Sequence, residues 1–144
     1  MHEHGLATKR HVRAERQGKP VVFELTPGER HEQPMVERLT ERGAVKRGER
    51  GGSRLRPQRV AGDKAYSSTK VRRYLRRRGI GVVIPRKSNE QRNAQFDRQA
   101  YRERNVVERL INRLKQHRRV ATRYEKRAAN YRAMLSLACI LLWL

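Results

Sequence analysis

The stretch YRERNVVERLINRLK, residues 101–115, decides the fold and the chemistry of this chain. At about 100° per residue in a helix, Tyr101, Arg104, Glu108, Asn112 and Lys115 share one polar stripe less than a quarter-turn wide. Val106, Val107, Leu110, Ile111 and Leu114 fall on an adjoining apolar stripe. Such a helix packs into a core while aiming one carboxylate, flanked by cations, at something anionic. A lone Glu among Arg and Lys also suits a surface ion pair of small worth. Glu108 gains interest because a second acid, Asp63, ends a predicted strand and could share a metal with it.

Outward from that helix, composition narrows the partner. The 144 residues carry 36 Lys and Arg against 14 Asp and Glu, a net charge of +22. A single domain of this size with that charge attracts polyanions, so nucleic acid is the expected partner and binding should weaken steeply with salt. A disordered basic tail fits less well, because the positive charge is interleaved with periodic apolar residues along the whole chain. Cys139 is the only cysteine. It excludes a disulfide scaffold, suits a reducing cytosol, and sits among Leu and Ile where a packed thiol is expected. The first residues are polar and charged and show no secretory signal pattern. The apolar run AMLSLACILLWL (133–144) is too short to span a bilayer. It is expected as a packing helix anchored by Trp143, with a helix lying on a membrane surface as the alternative.

Residues 1–8 read as frayed. Lys9 to Glu15 and Val21 to Leu25 read as a hairpin turned at Gly18–Pro20 and broken at Thr26–Gly28. Residues 33–43 suit a helix ending near Gly43. The stretch 46–58 is rich in Gly and Arg and is expected to be a flexible basic loop. Arg59 to Gly62 is a short strand delivering Asp63. Ser67 or Ser68 caps a helix through Val71, Tyr74 and Leu75 that stops at Gly79. Ile80 to Ile84 is a buried-type strand stopped by Pro85, and a polar loop runs to Asp97. The long helix then starts near Gln99, the stretch 118–127 has little apolar content, and a final helix covers 128–144. This order predicts one domain over 1–144, built as a mixed α/β sheet with flanking helices.

The chemistry rests on few residues. Asp63 lies where an α/β sheet presents strand ends, an edge that favours ligands. Gly62 would let a ligand or metal approach the backbone. Asp63 suits a turn start equally well, and Asp97 suits a helix cap. Carboxylates on a strand end and a helix suit Mg²⁺ or Mn²⁺, and two such ions can clamp the oxygens of a phosphoryl displacement. Arg104 and Lys115 could hold phosphates, although i,i+4 ion pairs on a solvated face would also account for them. No zinc spacing, phosphate-binding Gly loop or nucleophile signature is present.

Four segments carry a resemblance to a known family: 8–32, 60–87, 101–131 and 137–144. Within them, Tyr101-x2-Arg104-x3-Glu108-x6-Lys115 matches a signature at every position, and GDKAY (62–66) surrounds Asp63. The chain resembles the DDE transposases of bacterial insertion sequences, closest to the group called insertion sequence five. The resemblance implies an RNase H-like fold and an acidic triad holding two Mg²⁺ (or Mn²⁺). It implies strand cleavage at the element's ends followed by transfer to target DNA, in a bacterial cytoplasm at the nucleoid. It makes Asp63 the second acid and Glu108 the third, both metal ligands. Arg104, Lys115, Tyr101, Lys64 and Asn112 become DNA contacts. In relatives the first aspartate lies on a strand upstream of the Thr-Lys-x-His segment, which begins here at Thr8. The chain is therefore expected to be the C-terminal part of the catalytic domain, lacking its first strand and inactive alone. Its expected partners are DNA and either an upstream-frame half or a second copy. A basic nucleic-acid-binding protein without chemistry is the rival expectation.

Overall fold

Alternation along residues 8–27 builds the first element pair. In the computed structural model, which describes residues 8–46, 51–92, 94–122 and 126–144, β1 (Thr8–Ala14) and β2 (Pro20–Pro27) form an antiparallel hairpin. Residues 1–7, expected to be frayed, and 47–50 of the basic loop lie outside the described residues. Gly18, at φ +84°, turns the hairpin, its N–H donating to the Glu15 carbonyl at 2.9 Å. The second strand runs on to Pro27, beyond the break expected at Thr26; a proline at a strand end withdraws no needed donor from the ladder.

Helix α1 (Met35–Glu41) packs on both strands of the hairpin. The ends of the basic loop pair as β3 (Val45–Lys46) and β4 (Ser53–Arg54). Then come β5 (Arg59–Ala61), α2 (Thr69–Arg77) and β6 (Gly81–Val83), with β5 and β6 parallel and Val60 opposite Val82. The Ser68 hydroxyl caps α2 by accepting from the Val71 N–H at 3.1 Å. Helices α3 (Arg98–Arg102), α4 (Asn105–Lys115), α5 (Arg118–Ala121) and α6 (Ala128–Leu141) complete the chain.

Two expectations need correction. The predicted single mixed sheet is, among the described residues, three two-stranded sheets. The predicted helix through 101–115 is interrupted: α3 and α4 are joined by a tighter turn, with Arg104 N–H to Tyr101 C=O at 3.1 Å and Val107 N–H to Arg104 C=O at 2.9 Å. Such three-residue closures overwind the chain relative to an α-helix. The stretch after His117, low in apolar residues, forms the short α5 and buries Val120 in a core cluster.

Two apolar clusters form among the described residues. Val36, Val71, Tyr74, Leu75, Ile80 and Ile84 gather between α1, α2 and β6. Leu110, Leu114, Val120, Leu135, Ala138 and Cys139 gather among α4, α5 and α6, and Val12, Ala14, Phe23 and Leu25 from one face of the hairpin pack against them. The last helix buries only that face. Leu137, Ile140 and Leu141 are exposed, and Trp143 is 47% exposed although its indole N–H donates to the Pro20 carbonyl at 2.7 Å. No helix among the described residues is long and apolar enough to cross a membrane.

The opposite face of the hairpin is polar yet covered, and Arg13 shows how. Its guanidinium donates to the carbonyls of Leu39 (2.8 Å), Arg42 (3.0 Å), Gly43 (3.2 Å) and Leu55 (3.3 Å). The cation thus satisfies carbonyls that the end of α1 leaves without helical partners, and sits at the negative end of the helix dipole. Gly43, at φ +74°, lets the chain turn against Val21; a Cβ there would meet the Val21 Cγ1 at 2.7 Å. Replacing Arg13 by Met should cost about 1.5–3 kcal/mol, the range for hydrogen bonds made by a charged group. Urea unfolding followed by circular dichroism measures this; an unchanged midpoint would mean that the fork contributes nothing.

Candidate active site

Parallel pairing of β5 with β6 fixes where Asp63 sits. The ladder is extended by Gly62, whose N–H donates to the Val83 carbonyl at 3.3 Å. A Cβ at Gly62 would meet the Ile84 side chain at 3.3 Å, so the missing side chain makes room for the protein's own Ile84. Asp63 then caps the short 3-10 turn Lys64–Tyr66, its Oδ1 accepting from the Ala65 N–H at 3.0 Å. The two readings of Asp63 are therefore compatible: one oxygen starts the turn, while the residue lines a cleft of about 560 Å³.

That cleft lies between β1 and β5. Val12 and Ala14 line it from β1, Val60 and Ala61 from β5, and Val107 and Ile111 from α4. Asp63 and Arg104 both face it. Arg104 stacks over the Tyr101 ring at 5.3 Å and donates through Nη2 to Glu108 Oε1 at 2.7 Å, while its buried Nε has no partner. Tyr101 is steadied in turn by Phe96, with ring centroids 5.5 Å apart. Neither β1 nor β5 has a second ladder partner among the described residues, so both strands present open edges.

The predicted residues are thus placed as follows. Asp63 and Arg104 share the cleft, and Tyr101 and Glu108 are bound to Arg104. The Glu108 side chain is 55% exposed and does not itself line the cleft. Lys64, Asn112 and Lys115 are exposed. Asp97 is a helix cap, accepting from the Ala100 N–H at 2.9 Å, and Arg59 pairs with its other oxygen. Among the described residues no group of three or more His, Cys, Asp or Glu could hold a metal ion. Asp63 and Glu108 have the hard oxygen chemistry a divalent ion takes, but Glu108 is engaged by Arg104 and the pair does not by itself form a metal site.

The chain matches the family model for the transposase DDE domain over residues 2–143, and it belongs to that family. Members of this family generally use divalent metal ions. Two relatives place the match. A Burkholderia cepacia protein named as transposase for insertion sequence element IS402 is 33% identical over 135 residues, covering 94% of this chain and 62% of the relative. A Brucella ovis protein named as transposase for insertion sequence element IS6501 is 28% identical over 141 residues, covering 96% of this chain and 99% of the relative. The chain therefore spans less than two thirds of the length of the first and nearly all of the second. No solved structure matches.

His11 takes a structural role that the spacing of the histidines does not mark. The residue is 1% exposed, with Nδ1 bonded to the Tyr66 hydroxyl at 3.0 Å and Nε2 to the Thr26 hydroxyl at 2.9 Å. The imidazole thus ties β1 and β2 to the turn that carries Asp63. Burial pushes its pKa below the usual 6.5, with Lys9 adding to the effect and Glu32 and Glu24 opposing it. Burial also pushes the Tyr66 hydroxyl up to about 12, so it stays protonated. The available signal is the alternation placing His11 and Thr26 on one face of the hairpin.

A histidine whose folded pKa is depressed binds protons more readily when unfolded, so stability rises with pH through its titration. Its contribution is intact above the unfolded value near 6.5 and declines as pH falls from there through the lower folded value. The thermal midpoint should therefore drop between about pH 7 and pH 5. His11→Gln should flatten that dependence; a variant with the wild-type pH profile would remove His11 as its source.

Proposed function

We propose that this chain is the C-terminal part of an RNase H-like catalytic domain, from a transposase of the insertion sequence five group, acting on DNA. Asp63 and Glu108 serve as two of its three acids, Mg²⁺ or Mn²⁺ is their ion, and Arg104, Lys115, Tyr101, Lys64 and Asn112 meet the DNA. The cleft is the observation that carries this reading. It joins an acid at a strand end to an arginine holding the second acid, and two open strand edges flank it. A strand entering there would find ladder partners on both sides and could bring the third carboxylate. The orphaned Arg104 Nε suits an acceptor arriving in the cleft, either that carboxylate or a phosphate. Membership of the transposase family leaves the rival, a basic nucleic-acid-binding protein without chemistry, unsupported.

Two carboxylates hold a pair of divalent ions poorly without a bridging ligand. The chain alone should therefore bind DNA yet leave supercoiled plasmid bearing element ends intact in Mg²⁺ or Mn²⁺. Nicking that disappears in Glu108→Gln would overturn the claim of inactivity. Asp63→Asn combined with Glu108→Gln should keep or raise DNA affinity, because it removes negative charge near phosphate; a marked fall in affinity measured by anisotropy would contradict the assigned roles.

A further inference from the structure

A second cleft, about 320 Å³ in volume, lies on the outer side of α2 and shares no lining residue with the first. Thr69, Arg72, Arg73, Arg76, Arg77 and Arg86 line it. The helix places them together: at about 100° per residue, positions 69, 72, 73, 76 and 77 fall within less than half a turn. Val71, Tyr74 and Leu75 occupy the opposite side and are buried in the core. The packed face therefore obliges Arg73, Arg76 and Arg77 to face outward together, while Arg72, at the edge of that face, is buried.

The cleft holds five guanidinium groups, and among the described residues a single ion pair, from Glu90, reaches them. Glu90 lies 3.9 Å from Arg72, and its Oε2 already accepts from the Ser67 hydroxyl (2.6 Å) and the Lys87 N–H (2.8 Å). Arg73, Arg76, Arg77 and Arg86 have no ion pair among the described residues. Arg72 is 7% exposed; its Nη2 donates to Ser67 Oγ and the Ile84 carbonyl, while its Nε is buried without a partner, as is the Nε of Arg86. Burial lowers the Arg72 pKa, and Arg86 and Arg76 press it further down as like charges. A folded chain tolerates such crowding at a cost that a bound anion relieves.

We propose that this arginine cleft binds the phosphodiester backbone of DNA, at a site separate from the Asp63 cleft. The proposal rests on the reading of the chain as a DNA-acting protein. Backbone phosphate is favoured because guanidinium forks pair with it bidentately and because no aromatic residue lines the cleft to stack a base. The span from Thr69 to Arg77 is about 12 Å, against about 3.4 Å of helix axis per phosphate on one strand, so several phosphates lie within reach. Contacts of this kind position a duplex and carry no sequence preference.

The test compares two variants of equal charge. One is Arg73→Gln/Arg76→Gln/Arg77→Gln, all exposed positions on α2; the other is Arg118→Gln/Arg119→Gln/Arg127→Gln, exposed positions outside either cleft. Binding of a labelled duplex is followed by anisotropy across a salt series, with circular dichroism confirming the fold. The α2 variant should lose about two to three units from the slope of log affinity against log salt, close to one per phosphate contact, and the other variant less than about one. A wild-type slope in the α2 variant, or equal losses in both, overturns the proposal while leaving DNA binding itself in place. A wild-type chain that binds no duplex at all sinks the transposase reading and this inference together.

Discussion

The polar face of the β1–β2 hairpin is buried, and the rest of the structure depends on how that burial is satisfied. His11, Arg13, Glu24 and Thr26 point away from the α4–α6 cluster, towards α1 and the turn after β5. Each meets a partner there or at the hairpin's rim. Arg13 closes the end of α1, His11 holds Thr26 and Tyr66, and Glu24, 3% exposed, is gripped by Arg42 and Arg132. Buried polar groups are costly when orphaned and specifying when paired. This face therefore fixes how α1 and the Asp63 turn sit against the hairpin, which two separate apolar clusters could not do alone.

The same arrangement explains how so basic a chain folds at all. Self-repulsion at +22 opposes compaction. Several of the cations offset this by serving as internal donors. Arg10 reaches the Val120 carbonyl, Arg13 the α1 terminus, and Arg72 the Ile84 carbonyl. Others form the outward sheet of charge on α2. The two clefts thus give the positive residues different surroundings. One set lies among acids and open strand edges, and the other stands almost without acids and faces outward, towards any anion that approaches.

Most elements are legible from local chemistry. The hairpin, the Ser68 cap, the strand delivering Asp63 and the apolar stripe of α4 follow from alternation, capping and helical period. The break at Glu103–Arg104 is not, because periodicity measures which residues share a face and is blind to one tightened turn. Arg13 looks like a flaw in a strand because its partners, the carbonyls at the end of α1, come from residues 26 to 29 positions away. Angular placement alone suggests that Glu108 shares a cation with Asp63. Its carboxylate goes first to Arg104, four residues before it, a partner that the spacing also allows.

Cys139 sits in the core among Leu and Ala, and burial raises its thiol to about 11. At neutral pH the thiolate fraction is then on the order of one in ten thousand. Sulfhydryl reagents accordingly react with it fastest when α6 detaches from its neighbours. The sole sulfur nucleophile is in effect a clock for that opening, so the rate of its alkylation reports how often the end of the chain lets go.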